Sequence, residues 1–227
     1  MRRQKQSINK IVTFLLNQRY FNGNNQTRIL THYEKGTSKV LIVTGENAEG
    51  KSFFSRLFHE YCTRFLKTDC LRTGMDVRTE RSFATIFSGY REEAVFSTGH
   101  SSVDSIISGI DTCKKMDSNH YIIFDEPTVG LSEGYQYAAG LYFAEFMKNC
   151  PKNTLGVVVI THSRLFVEPL LAHNPQHLRF GDNTKLKDWV EQTPAKHTIE
   201  ELLQLPEKGI CRLRDISHIS DKIKSNN

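Results

Sequence analysis

The residues Gly45-Glu46-Asn47-Ala48-Glu49-Gly50-Lys51-Ser52 fit the pattern G-x-x-x-x-G-K-[ST]. Gly45 and Gly50 permit a tight turn and close backbone approach, Lys51 can reach the β- and γ-phosphates of a nucleotide, and the Ser52 hydroxyl can ligate Mg²⁺. The chemistry of such a stretch is the cradling of a polyphosphate. It needs a particular setting, in which a strand delivers the chain to the turn and a helix leaves it. Several backbone N–H groups and the positive end of the helix dipole then converge on one point. Val40-Leu41-Ile42-Val43-Thr44 is a β-branched apolar run that predicts a strand buried on both faces. Phe53 to Leu66 has the length and apolar content of the helix. Both are in place, which weighs against a glycine-rich turn that binds nothing.

A second group of candidates begins at Tyr121-Ile122-Ile123-Phe124-Asp125-Glu126-Pro127, an apolar strand that ends in adjacent carboxylates, the pattern of a Walker B motif. Asp125 suits Mg²⁺, usually held through water, and Glu126 suits the orientation or deprotonation of a water attacking the γ-phosphate. Thr128-Val129-Gly130-Leu131-Ser132 follows, and later Val157-Val158-Val159-Ile160-Thr161-His162-Ser163. Together these stretches resemble the ATPase domain of the ABC superfamily, in its soluble chromosome-maintenance and DNA-repair branch. The resemblance covers about Lys39 to Phe180. It implies Glu126 as catalytic base, Gly130 to Ser132 as D-loop, and His162 as the histidine that contacts the γ-phosphate and the attacking water. Phe96-Ser97-Thr98-Gly99-His100 resembles a degenerate signature motif. In that role Ser97 and the Gly99 amide would bind the γ-phosphate held by a second subunit, which implies an ATP-dependent head-to-tail homodimer. A plain helix cap by Ser97 or Ser101 is the alternative.

The chain departs from the family pattern at several places. No glutamine lies between Gln26 and Gln136, so the Q-loop glutamine is missing; Arg78 and Glu80 are the polar residues that could replace it. Ser132 stands where the D-loop usually has aspartate. Tyr20, Phe21 and Tyr33 are the aromatic candidates for stacking on adenine.

Strands alternating with helices predict an α/β P-loop NTPase with a mainly parallel central sheet, ABC-ATPase-like, carrying a small helical lobe. The 227 residues divide into a basic helix and lead-in (1–36), an ATPase core (37–182) and a helical extension with a polar tail (183–227). Ser7 to Phe21 spaces its apolar residues as an amphipathic helix, and Thr27 to Tyr33 is a short strand or helix. A short strand is expected within Cys70 to Phe87. Val103, Ile106, Ile107 and Ile110 mark one face of a further helix. Tyr135 to Met147 is apolar nearly all round and reads as a helix covered by its neighbours. Leu155 to Ile160 and His177 to Phe180 complete the strands, and a helix is expected around Glu200 to Leu205.

The net charge is +5, and the first 33 residues hold Arg2, Arg3, Lys5, Lys10, Arg19 and Arg28 without one acidic residue. Such an end suits nucleic-acid phosphates, although a solvated basic face has the same composition. Five scattered cysteines without a C-x-x-C pair fit a reducing compartment, hence a cytoplasmic protein, and neither zinc nor redox chemistry. No apolar run is long enough to span a membrane. The function expected is a Mg-dependent ATPase acting on nucleic acid or a protein partner in DNA maintenance or mobile-element defence and counter-defence. A transporter's detached ATPase subunit and a slow ATP-dependent clamp are the alternatives; the missing Q-loop glutamine weighs against the first.

Overall fold

The computed structural model describes residues 5–22, 29–74 and 97–224. Arg2, Arg3, Arg28, Arg78, Glu80 and Phe96 lie outside them. Six strands form one sheet: β1 (Thr31–Glu34), β2 (Val40–Gly45), β3 (Asp69–Thr73), β4 (His120–Asp125), β5 (Thr154–Ile160) and β6 (Gln176–Phe180), in the order β1-β6-β2-β5-β4-β3. Among these described strands only the β1–β6 pair is antiparallel. The α/β, mainly parallel architecture is therefore as expected. β2 is buried at every position, as its unbroken apolar run requires of an inner strand covered on both faces.

Helices α1 (Ile8–Leu16), α2 (Arg19–Asn22) and α3 (Lys51–Glu60) cover one face, with a π-helical turn over Tyr61–Phe65 extending α3. Ile11, Phe21, Phe54, Phe58 and Phe180 form the core beneath them. The other face is covered by α4 (Thr98–Lys115), α5 (Glu133–Lys148), α6 (Arg164–Val167) and α7 (Leu186–Glu191), over Ile110, Phe124, Phe143, Phe166 and Trp189. The chain closes with α8 (Ile199–Lys224).

The structure refines one expectation and corrects two. In α4, Ile106 and Ile110 are buried but Val103 and Ile107 are 38% and 40% exposed, so the buried stripe is narrower than the apolar one. α5 is not covered all round, because Tyr135, Tyr137, Leu141 and Tyr142 face outward while Phe143 and Phe146 turn inward. The C-terminal helix does not stop at Leu205; it runs through Pro206 to Lys224. Proline normally ends a helix by removing a donor and crowding the preceding turn. Here Pro206, Gly209, Ile210, Leu213 and Ile216 fall on one helical stripe that lines the cavity at the phosphate loop, and the helix continues through the proline.

Two glycines of α5 measure how closely it packs. A Cβ on Gly140 would lie 2.3 Å from the Phe166 carbonyl oxygen, whereas one on Gly134 would meet nothing within 4 Å. Gly140→Ala is expected to destabilise the fold by roughly 1–3 kcal/mol through overpacking against backbone. Gly134→Ala should stabilise it by about 0.4–1 kcal/mol through the unfolded state. Urea denaturation of the two variants checks both signs, and a Gly140→Ala variant as stable as wild type would contradict the close approach of α5 to α6.

Candidate nucleotide site

Parallel pairing sets Val43 opposite Ile160, Ile160 opposite Asp125, and Gly45 opposite Phe180. The carboxyl ends of β2, β5, β4 and β6 thus lie level, and the residues after them share one edge of the sheet. Ligands of open parallel sheets occupy such edges. Gly45 (φ 152°) has the Phe180 Cβ only 2.7 Å from where its own side chain would begin, so the loop leaves β2 without room for any other residue. Gly50 caps α3 at φ 111°, a left-handed conformation that suits glycine.

Asn47, Glu49, Gly50, Lys51, Ser52, Asp125, Glu126 and His162 line a single cavity of about 550 Å³. This lies within the range of about 300–1,000 Å³ usual for ligand pockets. Lys51 is buried and folds back onto its own loop, donating to the Gly45 carbonyl at 2.6 Å and the Glu46 carbonyl at 2.9 Å. Burial pushes its ammonium down to about 8, against the pull of the Glu126 and Glu46 carboxylates. An ammonium held by two carbonyls of its own loop is available to an incoming anion.

Glu126 sits at φ 50°, a left-handed conformation costly for a side chain with a Cβ. Its N–H donates to the Ile160 carbonyl at 2.9 Å, its Oε2 accepts from the His162 N–H at 3.3 Å, and its Oε1 lies 3.3 Å from His162 Nε2. Burial lifts its carboxyl to about 7, although the Lys51 ammonium opposes this. Burial, and then the same ammonium, push the His162 imidazole down to about 4, so the ring is neutral at pH 7. A strained carboxylate is thus aimed into the cavity beside a neutral ring, an arrangement able to hold and polarise a water.

Several partners were not apparent from the sequence. Asp125 Oδ2 accepts from Arg72 Nη2 at 2.8 Å, and both side chains are largely buried. The basic residue inside an otherwise strand-like stretch was the available signal. Arg179, almost fully buried on β6, makes a bidentate pair with Asp182 and comes within 3.9 Å of Glu46. Gln136 joins the segment after β4 to that after β5, donating to the Leu131 carbonyl at 2.8 Å and accepting from the Ser163 hydroxyl at 2.6 Å.

Ser97 and Gly99 do not line the cavity. Ser97 caps α4, its Oγ accepting from the His100 N–H at 3.3 Å. Gly99 packs so closely on Gly130 that a Cβ would lie 2.7 Å from the Gly130 carbonyl oxygen. Glu46 borders an adjoining cavity of about 680 Å³ against α8. Of the aromatic candidates, Phe21 is core, and the Tyr33 hydroxyl is engaged by Asn9 and Gln176. Among the described residues no group of three or more His, Cys, Asp or Glu side chains could hold a metal by itself, and no helix is long and apolar enough to cross a membrane.

The sheet, the glycine loop and the helix it opens are together the fold of a P-loop NTPase. No protein-family model and no curated protein matches the chain. Among solved structures it is similar to the Thermotoga maritima RuvB Holliday junction branch migration motor, with 14% identity and a TM-score of 0.32 over 91% of this chain and 53% of that one. The chain thus spans about half the length of that structure.

One bond beneath the loop has a measurable consequence. The residue preceding Gly45 is Thr44, whose buried hydroxyl lies 2.7 Å from His177 Nε2 and ties β6 to the loop strand. Burial pushes the His177 imidazole down to about 3, with the Arg179 and His32 charges adding to the effect. The folded state therefore keeps this ring neutral while the unfolded chain protonates it near its ordinary pKa of about 6.5. Its contribution to stability is complete above that value and is lost as pH falls towards 3, by at most about 1.4 kcal/mol per pH unit. Denaturation from pH 7 to 4 should show this fall, and His177→Gln should make it shallower. An unchanged slope in the variant would contradict a neutral buried ring.

Proposed function

We propose that the chain is an ABC-type ATPase that binds ATP in the 550 Å³ cavity and hydrolyses it with Mg²⁺. The observation that carries this reading is the meeting of Lys51, Glu126 and His162 in one cavity whose floor is the phosphate loop. Lys51 would exchange its carbonyl partners for the phosphates, a charge-assisted contact stronger than either. Glu126 would hold the attacking water and take its proton, with His162 beside it. Ser52 and Asp125 suit Mg²⁺, whose part is to neutralise charge on the phosphates; magnesium ordinarily relies on one or two carboxylates together with those phosphates. Because Arg72 already occupies Oδ2 of Asp125, the cation would share that carboxylate with a guanidinium. That sharing favours a second reading, slow turnover by a clamp that holds ATP for long periods.

For the macromolecular role we infer a homodimer in which Ser97 and the Gly99 amide of each copy meet the nucleotide of the other. The position of both residues at the start of an 18-residue helix supports this, since helix dipole and free amides favour an anion there. A cytoplasmic protein that acts on nucleic acid is the reading we prefer. α1 buries Ile8, Ile11, Val12 and Leu15 while Lys5, Lys10 and Arg19 remain exposed on and around it.

Lys51→Ala is expected to weaken binding of a fluorescent ATP analogue about tenfold or more. Glu126→Gln should keep the affinity but lose most single-turnover hydrolysis. If wild type shows no saturable binding, or the glutamine variant turns over normally, the assignment is wrong. In sedimentation, Glu126→Gln should be monomeric alone and dimeric with Mg-ATP, and adding Ser97→Arg should abolish the shift. A dimer indifferent to both would remove the signature role. Neutralising Lys5, Lys10 and Arg19 together should abolish a steeply salt-dependent affinity for duplex DNA; no binding at low salt would remove nucleic acid as the target.

A further inference from the structure

The phosphate loop carries two carboxylates of its own, Glu46 and Glu49, beside the place where a polyanion would sit. A negative side chain there opposes the ligand unless its charge is cancelled. Glu49 is only 17% exposed, and both of its oxygens are met by cations from α8. Lys208 Nζ contacts Oε1, and Arg212 Nη2 lies 3.5 Å from Oε2. Two cations facing one carboxylate cancel the charge of Glu49, while Glu46 has Arg179 at 3.9 Å and His197 at 3.6 Å. Arg212 also lines the cavity itself, on the stripe made by Pro206, Gly209, Ile210, Leu213 and Ile216. Ile210 and Leu213 remain half-exposed, so the helix walls the cavity without filling it.

We propose that α8 is a working wall of the nucleotide site, in which Lys208 and Arg212 set ATP affinity by cancelling the charge of Glu49. This rests on the ATP-binding reading above. Ion pairs in open solvent contribute little, which limits the share of Lys208 at 47% exposure, but Arg212 is 21% and Glu49 17% exposed, where screening by solvent is weaker. The two cations act through Glu49 and are positioning residues rather than catalytic ones. The arrangement also explains how a phosphate loop tolerates glutamate in a place that faces its ligand.

The test is a titration of the full chain with a fluorescent ATP analogue and Mg²⁺. Lys208→Gln with Arg212→Gln should weaken binding about tenfold, the order expected when one nearby charge is left uncancelled. Glu49→Gln, which removes the charge to be cancelled, should tighten binding, and in that background the same two substitutions should change affinity by less than about threefold. Equal loss in both backgrounds would mean that the cations merely dock the helix, and would overturn the proposal. Tighter binding after loss of the cations would overturn it too, because α8 would then be an obstruction. If wild type itself fails to bind while remaining folded, the ATP reading fails first, an outcome distinct from loss of the Glu49 coupling.

Discussion

The site depends on one constraint, the insertion of β5 between the loop strand β2 and the acid-bearing strand β4 by parallel pairing on both sides. A parallel ladder brings like ends together, so the loop after Gly45, the carboxylates at Asp125 and Glu126, and His162 beyond Ile160 emerge on one edge. A shift of one residue in either ladder would reverse which side chains face the core. The unbroken burial of Val40 to Gly45, and of Gly156 to Ile160, shows how little freedom the register has. The geometry of the cavity is thus a by-product of core packing. Gly45 against Phe180, and Thr44 against His177, extend the same constraint to β6.

Upon that frame, charge is handled by partial burial. Lys51, Glu126 and His162 are each moved away from their ordinary pKa by burial, in the directions that disfavour the charged form. Lys51 and Glu126 then stabilise each other's charge, while Lys51 helps to keep His162 neutral. These three shifted groups are gathered in one cleft, whereas the shifted His177 lies beneath it and bears on stability. The left-handed backbone at Glu126 is in the same cleft, and a strained residue persists only where its surroundings hold it. The pairs of Asp125 with Arg72 and Glu49 with Arg212 show that the cavity walls supply counter-charges from elements distant in sequence.

Sequence reading recovered what is written locally. The glycine loop, the β-branched runs of β2, β4 and β5, and the carboxylates that end β4 are contiguous patterns, and each was found where expected. What it missed depends on neighbours brought together by folding. Arg72 is 53 residues from Asp125, and only the β3–β4 pairing makes them partners. Tyr135 and Leu141 look like core residues because apolar composition reports the capacity to be buried, not the presence of a cover. The helix expected around Glu200 to Leu205 runs on through Pro206, and the stripe from Gly209 to Ile216 lies beyond it. That stripe becomes meaningful only once the phosphate loop is seen to lie opposite.

Amide NMR spectra of the full chain, recorded as Mg-ATP is added, locate a ligand at the sheet edge as well as detect it. A nucleotide in this cavity should give saturable shifts shared by Gly45, Gly50, Lys51, Ser52, Glu126 and His162, three segments that meet at the carboxyl edge of the sheet. Shifts confined to other surfaces, or none at saturating Mg-ATP, would contradict this placement.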